Sequence, residues 1–295
     1  MRRNNLYIKN FLAAFQILCF IASGAVASPR IKYSINEDWK FIRQDAAGAE
    51  KNDCNDAGWR QVSFPHTWNA LDATDDEQGY YKGIAWYRRE IKIPLEYSEK
   101  QITVFFEGAN QEIELFVNGK SAGIHAGGYT RFSFDITDYI RFGENNLFSV
   151  KASNRSNENI PPLSADFTFF GGIYRDVYLI ITNKRHISTT HYASGGVYFR
   201  TTNVSEAEAT AEIETILDNM SGVGCDLRVE HSIVNPAKQV VQSVSGKIRM
   251  ERLQRNLPNI QTLVLEKPEL WQPEEPSLYS IYTRIYDERT GEMLD

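Results

Sequence analysis

The sequence predicts an all-β protein: a jelly-roll β-sandwich followed by an immunoglobulin-like β-sandwich that is incomplete at its C-terminus. Three observations carry this expectation. Apolar and polar residues alternate with a period of two through most of the chain, Asn-Gly and Gly-Gly pairs punctuate the alternation, and no long segment of 3.6-residue period intervenes. The chain has 295 residues, 42% hydrophobic and 12% aromatic. That is enough for about two domains with real cores, and it excludes disorder, collagen-like repeats and a disulfide-stapled miniprotein.

The elements follow in order. Residues 1–27 read as a signal peptide, with Arg2, Arg3 and Lys9 as the charged start, an apolar stretch from Phe11 to Val26, and Ala25-Val26-Ala27 as a small-x-small cleavage site before Ser28. The expectation is an exported protein, periplasmic or secreted, with no membrane attachment after cleavage. Residues 28–184 form the first domain. Ile102, Val104 and Phe106 give one apolar strand face; Ile113, Leu115 and Val117, then Phe132, Phe134 and Ile136, then Val177, Leu179 and Ile181 give others. Asn118-Gly119 is a type I′ hairpin signal, and Gly171-Gly172 predicts a bulge or tight loop ahead of the strand from Tyr174 to Ile181. Residues 185–295 form the second domain, where aromatic density falls. Strands are expected at His186–His191, Ala209–Leu217, Cys225–Val234, Val240–Gly246, Thr262–Glu266 and Leu278–Asp287. The turn Glu288-Arg289-Thr290-Gly291 should return the chain into a partner strand that has only begun at Met293-Leu294, so the sequence reads as the front part of something longer.

Charge and motifs exclude several function classes. The net charge is −6, and beyond residue 27 there are 29 basic against 38 acidic residues, a balance of −9 that argues against nucleic-acid or anionic-membrane partners. Cys54 and Cys225 lie in different expected domains and read as two free thiols. His186 and His191 fall on opposite faces of an extended strand, and no Cys or carboxylate cluster has zinc-ligand spacing. No P-loop, nucleophile elbow or dinucleotide turn is present.

The first block is rich in aromatic and amide groups: Trp39, Trp59, Trp68 and Trp86, Tyr80, Tyr81 and Tyr87, and the loop Pro65-His66-Thr67-Trp68-Asn69. Flat apolar faces beside amides and carboxylates suit sugars, which offer C–H patches and hydroxyl pairs; the competing expectation is that most of these tryptophans are core.

An ordered series of runs then carries a resemblance. Asn36-Glu37-Asp38-Trp39-Lys40-Phe41, Phe64-Pro65-His66-Thr67-Trp68-Asn69, Gly83-Ile84-Ala85-Trp86-Tyr87-Arg88-Arg89, Phe106-Glu107-Gly108-Ala109-Asn110, Val117-Asn118-Gly119-Lys120, Phe134-Asp135-Ile136-Thr137 and Phe170-Gly171-Gly172-Ile173-Tyr174-Arg175-Asp176-Val177 resemble the N-terminal sugar-binding domain of glycoside hydrolase family 2. Lys267-Pro268-Glu269-Leu270-Trp271-Gln272-Pro273, running on to Tyr279, is similar to the end of that family's immunoglobulin-like second domain. The family contains β-galactosidases, β-mannosidases and β-glucuronidases.

The resemblance implies that catalysis belongs to a (β/α)8 barrel absent from this chain, in which two glutamates carry out a retaining double displacement. It therefore implies no catalytic residue here. It further implies that Asn110 and Asp166 reach the barrel mouth and bind the terminal sugar of a β-galactoside. The alternatives are that Asn110 holds a turn and Asp166 pairs with Arg175. No cofactor is expected in the chain itself, although the resemblance allows magnesium or a monovalent cation beside Asp166 in the whole enzyme. The partner is a carbohydrate, and a homo-oligomer is open. Arg175-Asp176 is expected to brace the fold as an ion pair, and Trp271 to pack where the sandwiches meet. The rival reading is a stand-alone secreted carbohydrate-binding module without hydrolase activity.

Overall fold

The computed structural model describes residues 29–72, 74, 79–164 and 168–295. The expected signal peptide lies outside the described residues, as does Asp166. Among the described residues are seventeen strands: β1 (Ile31–Ser34), β2 (Trp39–Ile42), β3 (Arg60–Val62), β4 (Ile84–Lys92), β5 (Lys100–Phe106), β6 (Glu112–Val117), β7 (Lys120–Ala126), β8 (Phe132–Asp135), β9 (Asn145–Ser153), β10 (Val177–Asn183), β11 (Arg185–Ile187), β12 (Val197–Val204), β13 (Glu208–Asn219), β14 (Cys225–Val234), β15 (Val240–Met250), β16 (Gln254–Glu266) and β17 (Ser280–Asp287). The helical content is two single 3-10 turns, at Leu95–Tyr97 and Thr137–Tyr139.

The first module faces a four-stranded antiparallel sheet, β1-β10-β5-β8, with a six-stranded one, β3-β2-β4-β9-β6-β7. Non-consecutive neighbours such as β10 beside β5 and β9 between β4 and β6 give the crossovers of a jelly roll. The period-two faces meet as the sequence required. Trp39, Tyr87, Phe106 and Phe148 are nearly or fully buried together with Ile102, Leu115, Ile136 and Leu179 in one continuous core. Asn118 (φ 52°) and Gly119 (φ 81°) make the tight β6–β7 turn with both central residues left-handed, as a type I′ turn needs. Beneath the outer face of β4, the buried Arg88 donates from Nε to Asp56 at 2.9 Å and from Nη1 to the carbonyls of Ala49 and Lys51. Burial opposes the Asp56 charge, yet the hydrogen bonds from Lys40 and Arg88 hold its pKa below the ordinary carboxylate value.

The second module pairs β15-β14-β17 on one side with β13 on the other, β13 being flanked by β16 along one edge and by β12 and β11 along the other. Several elements depart from expectation: β11 ends at Ile187, so His191 lies in a bend and not on the expected strand, and β15 runs on to Met250. β12 lacks a buried face, six of its eight residues being exposed, so its alternation carries no signal. β16 starts eight residues before the expected Thr262 and passes through Pro258, which is tolerated because β16 is an edge strand. The turn after β17 does return the chain: the Asp287 carboxylate accepts from the N–H groups of Arg289 and Thr290, and Tyr286 bridges Met293. Cys54 and Cys225 are unbonded.

Polar bonds join the two modules. Arg30 forks onto Asp295 at 2.8 and 2.5 Å and reaches the Ile187 carbonyl, Arg255 meets Asp135 at 2.8 Å, and Thr103 bonds Thr189 at 2.9 Å. Trp271 is not at this junction. It lies 58% exposed in an apolar trench of the second module with Phe199, Leu270 and Tyr279, which corrects the expectation that it packs between sandwiches.

Candidate sugar-binding site

One end of the jelly roll gathers the loop after β5, the loop after β9 and the Gly171-Gly172 segment. They meet because Asn110 and Gly172 exchange backbone hydrogen bonds of 2.9 and 3.2 Å across an isolated antiparallel bridge. Gly172 has φ 121°, and a side chain there would begin 2.6 Å from the His66 carbonyl, so glycine is required. Two buried asparagines staple the floor. Asn69 Nδ2 donates to Asp72 at 2.6 Å and to the Tyr81 carbonyl, while its Oδ1 accepts from Gly171 N–H at 2.7 Å. Asn154 Nδ2 donates to the Tyr81 carbonyl at 2.9 Å, and its Oδ1 accepts from Gly83 N–H at 2.8 Å.

Beside this floor, His66 sits between Arg60 and Tyr87, at 2.7 Å from Nε2 and 2.9 Å from Nδ1. An arginine can only donate, so Nε2 accepts and the proton stays on Nδ1, facing the Tyr87 hydroxyl. Burial, aided by the Arg60 charge, pushes the His66 pKa down to about 4, and burial raises that of Tyr87. This trio is a neutral structural brace.

Asn110 is 3% exposed, and its Nδ2 donates to the Phe170 carbonyl at 2.9 Å. It lines a cavity of about 180 Å3 together with Lys82, Asn154, Asn157, Glu158 and Phe169. Gln111 and Asn157 secure the cavity wall through bonds to the Arg155 carbonyl at 2.5 Å and to Glu112 at 2.9 Å. Three aromatic side chains stand exposed around this end. Tyr80 and Phe170 make an edge-to-face pair at 6.4 Å, and Tyr129 follows Gly128, whose carbonyl accepts from the Tyr174 hydroxyl at 2.6 Å. Burial raises the pKa of both Tyr129 and Tyr174, so their hydroxyls stay protonated donors. Amides, hydroxyls and ring faces around a small cleft have the chemistry that a sugar ring needs.

The tryptophans play a different part. Trp39, Trp68 and Trp86 are at most 5% exposed and belong to cores, and Trp59 packs at the edge of one. The Pro65–Asn69 loop likewise supplies braces. Asp176 accepts from Asn36 and Tyr178, whereas Arg175 reaches the Glu107 carbonyl at 3.5 Å, so the expected Arg175-Asp176 brace works through other partners. Among the described residues, no three His, Cys, Asp or Glu side chains converge to hold a metal ion. Sequence reasoning missed the roles of Asn69 and Asn154; the first stood in a quoted motif, and the second carries no local signal.

A jelly roll with an amide-lined, aromatic-rimmed cleft at one end, followed by an immunoglobulin-like sandwich, is the architecture of the described residues. Residues 34–184 match the family model described as the sugar binding domain of glycosyl hydrolases family 2, and residues 195–295 match a second model of the same family. The chain belongs to that family. It is 36% identical over 241 residues to a β-glucuronidase of Bacteroides fragilis and 31% identical over 272 residues to a β-galactosidase of Thermoanaerobacter pseudethanolicus, covering 80% and 89% of this chain. A solved β-glucuronidase of Bacteroides uniformis superposes with a TM-score of 0.86 at 36% identity, covering 90% of this chain and 31% of the other. The chain spans about a third of the length of these relatives (33%, 34% and 31%). No (β/α)8 barrel occurs among the described residues.

Proposed function

We propose that this chain supplies the two N-terminal β-sandwich modules of an exported family 2 glycosidase that hydrolyses terminal, non-reducing β-linked sugars with retention. The jelly roll would contribute Asn110 and Asp166 to the rim of the substrate pocket, and the two catalytic carboxyl groups would come from a barrel outside this sequence. The observation that carries the reading is the Asn110 cleft, buried and braced at the same end of the jelly roll as its exposed aromatic residues. An amide offers a donor and an acceptor to adjacent hydroxyls, and a carboxylate accepts two bonds. A cation held at Asp166 would order that carboxylate without taking part in bond cleavage.

A terminal β-galactoside is the finer reading, from the match of Asn110 and Asp166 to the galactosidase motifs. A β-glucuronide is favoured instead by the relatives of that name at 36% identity. Isothermal titration of the chain from Ser28 to Asp295 with galactose, lactose and glucuronate tests both, with Asp166→Ala and Asn110→Ala as controls. Weak saturable binding that either control abolishes is expected, and the preferred sugar decides between the readings. Turnover of a nitrophenyl glycoside by the pure chain would overturn the assignment of catalysis to an outside barrel.

A further inference from the structure

A second concave surface lies elsewhere on the jelly roll, between the edges of its two sheets. β1 is an edge strand paired with β10 alone, with Ile31 opposite Ile181 and Tyr33 opposite Leu179. Paired residues share a face, so Ile31 and Tyr33 point toward the interior with the nearly buried Leu179 and Ile181. They are nevertheless 39% and 54% exposed. The reason is on the facing sheet: β2 has four residues and pairs with β4 at Arg88 to Trp86, leaving the β4 edge from Arg89 onward uncovered. The gap is a groove of about 430 Å3 walled by Ile31, Tyr33, Ile91, Ile93, Tyr97 and Leu179.

One cation stands in this apolar wall. Arg89 follows the inward register of Tyr87 and Ile91, lines the groove, and is half-buried. Its Nη1 is buried and, among the described residues, has no hydrogen-bond partner. A guanidinium nitrogen withdrawn from water without an acceptor is costly, and the half-buried Arg89 is the polar group of an otherwise apolar wall. Glu90 and Lys92 reach the rim from the opposite face of β4 and balance one another, so the net charge of the lining is that of Arg89.

From this geometry we infer a binding site for a small amphiphilic carboxylate, an aryl- or alkyl-carboxylic acid. Its apolar body fills the space between Ile31, Tyr33 and Leu179, and its carboxylate accepts N–H bonds from Arg89. The volume suits a ligand of that size, and a planar carboxylate is the natural complement of a guanidinium fork. The site depends on neither the Asn110 cleft nor the reading of it given above.

The test is a calorimetric titration of the full chain with 4-phenylbutyrate and, in parallel, 4-phenylbutanol, which keeps the body and removes the charge. The carboxylate should bind about tenfold more tightly than the alcohol. Arg89→Gln should erase that difference while leaving alcohol binding intact. Tyr33→Ala, on an exposed edge strand where folding is not at stake, should weaken both. Equal affinity for the two compounds, no saturable binding of either, or a preference that survives Arg89→Gln would each overturn the assignment. Should Arg89→Gln not fold, the acid-to-alcohol ratio of the Tyr33→Ala protein decides: a retained preference at lowered affinity supports the site, and unchanged affinity for both overturns it.

Discussion

The two sandwiches bury their strands in different ways. In the jelly roll one large core runs between both sheets and is filled with rings, Trp39, Phe41, Tyr87, Phe106 and Phe148 among them, with a smaller cluster of Ala49, Ile84 and Trp86 beside it. In the immunoglobulin-like module the interior divides into two smaller aliphatic clusters, one around Leu217, Leu227 and Val229 and one around Ile213 and Ile233. That module also leaves Phe199, Ile260, Trp271 and Leu278 exposed. The difference teaches where precision is required. Around the Asn110 cleft, large rings with few rotamers, backed by buried amide staples, fix the backbone at low entropic cost. The second module meets the first through polar bonds and one small apolar cluster of Phe105, Ile180 and Ala193, and its own core is divided.

The largest test of that contrast is Phe148→Ala, which removes a fully buried ring from the continuous core. It should cost about 3–5 kcal/mol in urea unfolding, more than Ile213→Val in the divided core, at about 1 kcal/mol. A single transition shifted by both substitutions would mean that the modules unfold as one unit. Next in size is Gly172→Ala. Its φ of 121° and the 2.6 Å approach to the His66 carbonyl should cost about 2–4 kcal/mol, and the bridge to Asn110 should open, seen as lost amide-exchange protection at Asn110. Asn154→Ala unpins the Tyr81 carbonyl and the Gly83 N–H, and about 1–3 kcal/mol is expected.

The pH dependence separates the modules less sharply, since each holds one histidine whose pKa is pushed down to about 4 by burial, His66 and His231. Between pH 6.5 and 4 such a ring is neutral when folded and protonated when unfolded. The unfolded state then binds more protons, so stability is full above pH 6.5 and falls as the pH drops toward 4. Allowing for the solvent that screens the half-buried His66 ring and for the hydrogen bond that holds the buried His231 ring to Thr283, each should contribute about 1–2 kcal/mol. His66→Gln and His231→Gln should each flatten the stability profile in that window, and an unchanged profile would refute the neutral assignment. The smallest effect expected is Trp271→Ala, within about 0.5 kcal/mol, because its ring is 58% exposed. A larger loss would mean that the trench around it is a packed part of the second core.

Much of the fold was legible in the chain, for a definite reason. Where one strand face is buried, period-two alternation records it, as with β6, whereas β5 and most of β10 are buried on both faces; Cys225–Val234 emerged with the expected bounds. Where neither face is buried the record vanishes, as with β12. Of the site, Asn110 was legible only through its motif, and the structure places it in a cleft with its amide on the Phe170 carbonyl. The expectation that most of the tryptophans are core held for Trp39, Trp68 and Trp86, since a ring that suits a sugar suits a core equally well.

The sequence by itself determined that this is an all-β chain of two sandwiches, with the Asn118-Gly119 hairpin and the motifs that place it in family 2. These are local properties: alternation, turn chemistry and ordered short runs. Only the tertiary structure decided that Asn69 and Asn154 are staples, that His66 is a neutral brace, and that Arg89 faces a groove left open by the short β2. Each of those roles depends on which backbone group or strand edge arrives from 20 to more than 100 residues away, which no local pattern records.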